Sequence, residues 1–202
     1  MLELELKPLV RAASRAAPFA AALACTVVMG APASAGVLDE VWVGGYAHNY
    51  NQAHGKEGGT AEVEFEVDTA RPPILRFMGS PRIAFTAAFN TAGFTDFGGV
   101  ALAWDHRIYR RLSWGLQLGM DVNDGNLSAP KGPAGDHLRA TRVQVGTRVL
   151  FREAASLNYR INDRWEAGLH IIHNSNGELL SAHHVPNQAL NELGVAVGYK
   201  LP

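Results

Sequence analysis

Apolar and polar side chains alternate with a period of two along most of the chain after residue 36. The alternation is clearest in Leu112–Val122 and Trp165–Ser175, where apolar residues are separated by polar residues or glycine. Because successive side chains of a strand point to opposite faces, the pattern predicts β-strands with one apolar and one polar face. Eight such segments follow one another, around residues 40–50, 63–68, 83–89, 100–104, 112–122, 143–161, 165–175 and 193–201.

Eight antiparallel strands of this kind fit either a soluble barrel that is apolar inside or an outer-membrane barrel that is apolar outside. The distribution of charge favours the second, because acids on one strand and arginines on others would fill a narrow interior. Three tryptophans near strand ends resemble an interfacial belt: Trp104, Trp114 and Trp165. We therefore predict an all-β fold, an eight-stranded antiparallel up-and-down transmembrane β-barrel of the outer membrane, without an open pore.

The first 35 residues have the composition of an export signal. Lys7, Arg11 and Arg15 precede the largely apolar stretch 16–29, and Ala33–Ala35 offers small residues for cleavage before Gly36. The sequence thus predicts a signal peptide over residues 1–35 and a barrel domain over residues 36–202. Export through a cleaved signal peptide agrees with a location in the bacterial outer membrane.

Cysteine content and net charge limit the function further. The only cysteine is Cys25, so the predicted mature chain has no disulfide and no thiol nucleophile. The whole chain carries 18 basic and 19 acidic residues, a net charge of −1. This balance argues against a nucleic-acid partner.

The most informative segment is the strand Trp165–Ser175 with the residues after it. His173 and Ser175 fall on its apolar face, at its far end. Two strand residues rise by about 6.6 Å and share a face, so an imidazole can lean towards a serine hydroxyl. Both termini of such barrels lie in the periplasm, which places this end of the strand at the extracellular, lipid-facing surface. The pattern suggests a hydrolase site that meets lipid.

Metal-binding alternatives are weaker. His170 and His173 are three residues apart and point to opposite faces of a strand, while His183 and His184 fall in a loop. We therefore expect no metal site and no cofactor.

The segment around His173-Asn174-Ser175-Asn176 resembles the lipid A 3-O-deacylase (PagL) family, also called acyloxyacyl hydrolases. Members are eight-stranded outer-membrane barrels with a lipid-facing His-x-Ser-Asn motif near the C-terminus. The resemblance extends over about residues 146–201. Its further context is Phe151-Arg152-Glu153-Ala154, Asn158-Tyr159-Arg160 and Asp163-Arg164-Trp165.

The resemblance implies a serine carboxylic ester hydrolase that removes an ester-linked acyl chain of lipid A, by 3-O-deacylation of lipopolysaccharide in the outer leaflet. Ser175 would be the nucleophile, and His173 would act as base and then as acid. Asn176 would stabilise the oxyanion. The chemistry needs no cofactor.

The third member of the catalytic group is left open by the sequence. The family's Asn-x-Gly-x-Asp/Glu segment aligns with residues 187–191, so its acid falls on Asn191. Glu192 is one residue late and points inward unless a bulge turns it. We favour Glu192 because a carboxylate stabilises an imidazolium better, with Asn191 as the alternative orienting residue and Glu178 as a third candidate.

Two other functions compete with the esterase. The first is a non-catalytic eight-stranded outer-membrane barrel with a structural or adhesive role, which an Asn at the aligned acid position would suit. The second is a soluble periplasmic barrel that carries a small apolar ligand.

Overall fold

A computed structural model of the chain describes residues 37–51, 56–178 and 186–202. Eight antiparallel strands account for most of these residues: β1 Leu38–His48, β2 Thr60–Thr69, β3 Arg82–Asn90, β4 Phe97–Tyr109, β5 Leu112–Asn123, β6 Val149–Arg160, β7 Trp165–Ser175 and β8 Leu190–Lys200. A 3₁₀ helix, Pro73–Met78, joins β2 to β3, and helix α1, Pro133–Thr141, lies between β5 and β6. No helix in the described residues has the length and apolar character needed to cross a membrane. The predicted signal peptide lies outside the described residues and stays a prediction.

Each strand pairs with the next one along the chain, and β1 also pairs with β8, which closes the sheet into a barrel. In the closing pair, Val43 lies opposite Val197 and Ala47 opposite Leu193. Both ends of the barrel chain, the start of β1 and the end of β8, therefore lie at one rim. The predicted closed eight-stranded antiparallel architecture is confirmed.

The apolar face of the sheet points outward and the charged face points inward. Outward side chains such as Leu169 and Val195 are 58% and 61% exposed, whereas Arg152 is 2% exposed. Inside, Arg152 forms ion pairs with Glu64 (2.8 Å) and Asp121 (3.3 Å). A soluble barrel would have the opposite arrangement, with its apolar residues inside.

Large aromatic side chains share the interior with these ions. Trp42 and Tyr46 are 6% and 4% exposed, and both point inward from β1. Gly198 makes room for Trp42, because a Cβ at that position would come within 2.6 Å of the indole ring. The narrow interior is filled by side chains, as expected for eight strands.

One part of the sequence prediction is wrong. The alternation predicted a strand from residue 143, but β6 begins at Val149. Val143 and Val145 belong to the preceding loop, are almost fully buried, and pack inside the barrel with residues of β3, β4, β6 and β8: Ala88, Phe97, Leu150 and Leu190. We call these six residues the apolar plug. Because these side chains are buried together, the loop before β6 is held inside the rim opposite the chain ends.

The rim that holds the chain ends has the character of a membrane interface. Trp114 and Trp165 are about half exposed here, at the starts of β5 and β7. Trp104, in the second half of β4, donates a hydrogen bond from its indole N–H to the carbonyl of Met78 (2.8 Å). This bond holds the 3₁₀ helix, whose Ile74 and Phe77 are 80% and 82% exposed. Apolar and indole side chains together suit the boundary between lipid and water.

Candidate active site

Strand β7 carries the two predicted reacting residues to the rim opposite the chain ends. His170, Ile172 and Asn174 are buried inside the barrel. His173 and Ser175 lie on the other face, where both are half-buried. The period of two that predicted their shared outward face is therefore present in the structure.

His173 has a partner on the neighbouring strand. Its Nδ1 lies 2.7 Å from Oδ1 of Asn191, and the two residues are directly paired in the register of β7 and β8. Since an amide oxygen can only accept, the imidazole must donate from Nδ1. The other ring nitrogen, Nε2, then carries the lone pair that a general base needs.

The orientation of Asn191 is fixed by the turn that follows β1. Its Nδ2 donates to Oδ1 of Asn51 (2.9 Å), which leaves its own Oδ1 for His173. The backbone N–H of Tyr50 also donates to the carbonyl of Asn191 (3.1 Å). Asn191 is thus held from both its side chain and its backbone, and the imidazole is held through it.

The preference for Glu192 over Asn191 as the partner of His173 needs correction. The register of β7 and β8 runs without a bulge from Trp165 to Asn174, so Glu192 keeps the inward direction that its position dictates. Its side chain is fully buried, and its Oε1 lies 3.9 Å from Nδ1 of His48. Glu192 and His173 are on opposite faces of the sheet.

The structure also gives Asn176 a different task from the expected one. Its Nδ2 donates to the carbonyls of Val145 and Pro186, both at 3.0 Å, and its backbone N–H donates to Oδ1 of Asn187 (3.2 Å). Its Oδ1 accepts from the backbone N–H of Glu178 (2.9 Å). With every polar group of its side chain occupied and no exposed surface, Asn176 ties the described ends of the β7–β8 loop, residues 176–178 and 186–189, to the plug.

Glu153 is a candidate site residue that was not predicted from the sequence. It is the direct partner of His173 in the register of β6 and β7, so His173 lies between Glu153 and Asn191 along one row. Paired residues in neighbouring strands share a face, and Glu153 is exposed on the outer one. The sequence pattern could have indicated Glu153, because it is a carboxylate between Phe151 and Ala155 on a strand face that is otherwise apolar.

A second polar cluster lies inside the barrel at the same rim. His48 contacts Glu62 (Nδ1 to Oε2, 2.9 Å) and Glu57 (Nε2 to Oε2, 3.4 Å). Glu57 lies in the loop before β2. Burial raises its pKa, but hydrogen bonds with His48 and Thr95 and the charge of Arg142 together hold the pKa below its usual range.

Several solved structures are similar to the chain. Neisserial surface protein A is 11% identical, with a TM-score of 0.54, and the match covers 81% of this chain and 97% of that one. The outer membrane enzyme PagL is 12% identical, with a TM-score of 0.45 and coverage of 82% and 99%. A designed transmembrane β-barrel is 14% identical, with a TM-score of 0.48 and coverage of 82% and 97%. At 11% identity, the similarity to Neisserial surface protein A shows a shared fold and nothing more.

No curated protein matches the chain significantly. The family model described as "Lipid A 3-O-deacylase (PagL)" matches residues 98–200, which is about half of the chain and runs from the second residue of β4 to the end of β8. The matched segment contains His173, Ser175, Asn191 and Glu153. The chain belongs to the lipid A 3-O-deacylase (PagL) family.

Proposed function

We propose that this protein is an outer-membrane esterase that hydrolyses the 3-O-linked acyl chain of lipid A. The observation that carries the proposal is the hydrogen bond between His173 and Asn191 on the apolar outer face, with Ser175 two residues further along the same face. Membership of the family supplies the substrate class. An ester buried among acyl chains would reach this face without leaving the lipid.

The proposed reaction is acyl transfer to serine followed by hydrolysis. Nε2 of His173 takes the proton of Ser175 as its Oγ attacks the ester carbonyl carbon. The tetrahedral intermediate expels the sugar hydroxyl, which receives that proton. Water, activated by the same imidazole, then releases the fatty acid and restores the serine.

Asn191 takes the orienting position in this proposal. Its Oδ1 holds the Nδ1–H tautomer, as the third member of a Ser-His-acid group does, but it carries no charge. We propose that Glu153, which is paired with His173 from the other side, supplies the negative charge that stabilises the imidazolium. The exposed position of Glu153 on the lipid face supports this assignment. A carboxylate on that face destabilises the barrel, and a role in the reaction would explain why it is there.

The decisive experiment compares lipid A from cells that express the wild-type protein, Ser175→Ala or His173→Ala. Mass spectrometry should show the loss of one ester-linked acyl chain with the wild type only. Each variant should lose activity by several orders of magnitude, and the double variant should be little worse than either. Thr147→Ala, in the loop before β6, is a matched hydroxyl control that should keep activity.

Unchanged lipid A in wild-type cells, with the barrel folded in the outer membrane, would favour the non-catalytic barrel instead. Full activity of Ser175→Ala would exclude the serine mechanism. Folding of each variant is checked by the change in gel migration on heating, a common property of such barrels. Recovery in the soluble periplasm would contradict the proposed location.

A further inference from the structure

Three buried side chains from adjacent strands converge inside the barrel, on the opposite face of the sheet from His173. They are His48 at the end of β1, Glu62 in β2 and Glu192 in β8. Their exposed fractions are 0%, 1% and 0%. One nitrogen and two carboxylate oxygens, one atom from each residue, lie within 4.8 Å of one another.

Glu192 is unpartnered in this cluster. Within the described part of the chain, neither of its carboxylate oxygens has a hydrogen-bond partner, although both are buried. Its Oε1 is directed at Nδ1 of His48 but stays 3.9 Å away, beyond hydrogen-bond distance. Burying a carboxylate without a hydrogen-bond partner is costly, so the position of the Glu192 side chain needs an explanation.

The charges of the cluster are also unbalanced. Among the described residues, Glu62 and Glu192 share at most one cationic partner within 4 Å, a protonated His48, whereas Glu57 has its own cation in Arg142 (3.1 Å). Two buried carboxylates and one imidazolium leave one negative charge uncompensated. A divalent cation with a neutral imidazole would neutralise both carboxylates.

We propose that His48, Glu62 and Glu192 bind a divalent transition-metal ion, with Zn²⁺ the best suited. Imidazole and carboxylate ligands together suit Zn²⁺, while Ca²⁺ and Mg²⁺ take oxygen ligands. In a tetrahedral zinc site with bonds of about 2.1 Å, ligand atoms lie about 3.4 Å apart. The distances from Nδ1 of His48 to Glu62 and Glu192, 2.9 and 3.9 Å, lie on either side of this value.

The surroundings of His48 agree with a metal ligand. Its second ring nitrogen, Nε2, lies 3.4 Å from Oε2 of Glu57. A metal-bound histidine usually donates its other N–H to a carboxylate, which fixes the ring and raises its basicity. Glu57 is held in turn by Thr95 (2.8 Å), by Arg142 and by the backbone N–H of Val143 (3.1 Å).

The metal would have a structural task, because the site is sealed from solvent and from the outer face. It would tie β1, β2 and β8 together at the rim and, through Glu57, fasten the loop that carries Val143. Loading should take place during folding, since the ligands are buried afterwards. The inference does not depend on the proposed esterase function.

The test measures bound zinc in tag-free protein, lacking residues 1–35, that is refolded in detergent with Zn²⁺ and then freed of excess metal. We expect close to one zinc per chain in the wild type and less than a tenth of that in Glu62→Gln and Glu192→Gln. Glu166→Gln is the matched control, because Glu166 pairs with Arg160 (3.5 Å) near the other rim. Glu166→Gln should keep the zinc content of the wild type. Glu57→Gln should bind zinc about 10–100-fold more weakly.

Refolding with a chelator should lower the urea midpoint of the wild type and leave that of Glu192→Gln unchanged. Equal zinc content in all variants would overturn the proposal, because it would assign the metal to surface histidines. The proposal would also be overturned if the wild type bound no zinc and Glu192→Gln were more stable than the wild type. That result would indicate that the carboxylates of the cluster are protonated. If the variants fail to fold, zinc X-ray absorption on the wild type decides: the proposal requires nitrogen and oxygen ligands with one imidazole, and any other ligand set overturns it.

Discussion

At the scale of single residues, the unusual feature is an amide where a carboxylate would be expected. Asn191 accepts the Nδ1–H of His173 at 2.7 Å and so selects the tautomer that a base requires. An amide of fixed orientation can do this, because only its oxygen accepts. It could not offset the positive charge that the proposed reaction would develop on the imidazole, and a charged neighbour such as Glu153 would have to do so.

We expect Asn191→Ala to reduce the deacylation rate about 100-fold or more, since a general base that loses its tautomer and direction loses most of its effect. Asn191→Asp should keep or raise the rate, because a carboxylate also accepts from Nδ1. Glu192→Gln should cost less than Asn191→Ala. Rates on purified lipid A in detergent give the comparison, and a greater loss in Glu192→Gln would restore Glu192 as the orienting acid.

Glu153→Gln should lower kcat about tenfold, or ~1.4 kcal/mol in transition-state stabilisation, with a smaller change in KM. The reason is that the imidazolium forms only as the reaction proceeds, so its stabilisation is felt in the transition state. Glu166→Gln, near the other rim, serves as the control of the same chemistry. A change in KM alone would assign Glu153 to substrate binding.

At the scale of secondary-structure elements, the site depends on β7, β8 and the turn after β1. The sequence predicted the faces of β7 correctly, because the period of two is not interrupted between Trp165 and Ser175. It could not predict which residue meets His173, since that depends on the register of two strands separated by a long loop. Val143 and Val145 were misassigned because a buried loop can continue an alternation by chance.

Asn51 provides a test of this dependence on neighbouring elements. Asn51→Ala removes the acceptor that directs Nδ2 of Asn191, and we expect a loss in kcat of about tenfold. Asn51→Asp keeps the acceptor oxygen and should restore most of the rate. Equal losses in both variants would show that the turn supports only the fold.

The apolar plug gives a prediction for stability. Leu150→Ala should lower the free energy of unfolding by about 2–5 kcal/mol, because Leu150 is fully buried among other apolar side chains. Leu157→Ala, on the same strand but 44% exposed on the outer face, should cost less, since lipid or detergent fills the space. Urea unfolding followed by tryptophan fluorescence measures both. A Leu150→Ala barrel as stable as the wild type would exclude a structural task for the plug.

At the scale of the whole molecule, the fold and the charged character of the interior were predictable from the sequence, whereas the individual contacts inside were not. Eight alternating segments with charged residues on one face predict a closed barrel, and closure pairs β1 with β8. The partners inside are far apart in the sequence, such as Arg152 with Glu64 and His48 with Glu192. No local pattern encodes such contacts, so the convergence of His48, Glu62 and Glu192 emerged only in three dimensions.

The outward direction of His173 and Ser175 has a consequence for the kinetics of the proposed reaction. A site on the outer wall is reached by lateral diffusion within the bilayer, not from bulk water. The concentration that matters is then the surface mole fraction of lipid A. In mixed micelles of fixed lipid A content, adding inert detergent should slow the reaction by surface dilution, even though the molar concentration of substrate is unchanged. A rate that follows molar concentration alone would mean that the substrate arrives through water, and that the wall of the barrel is not where the reaction takes place.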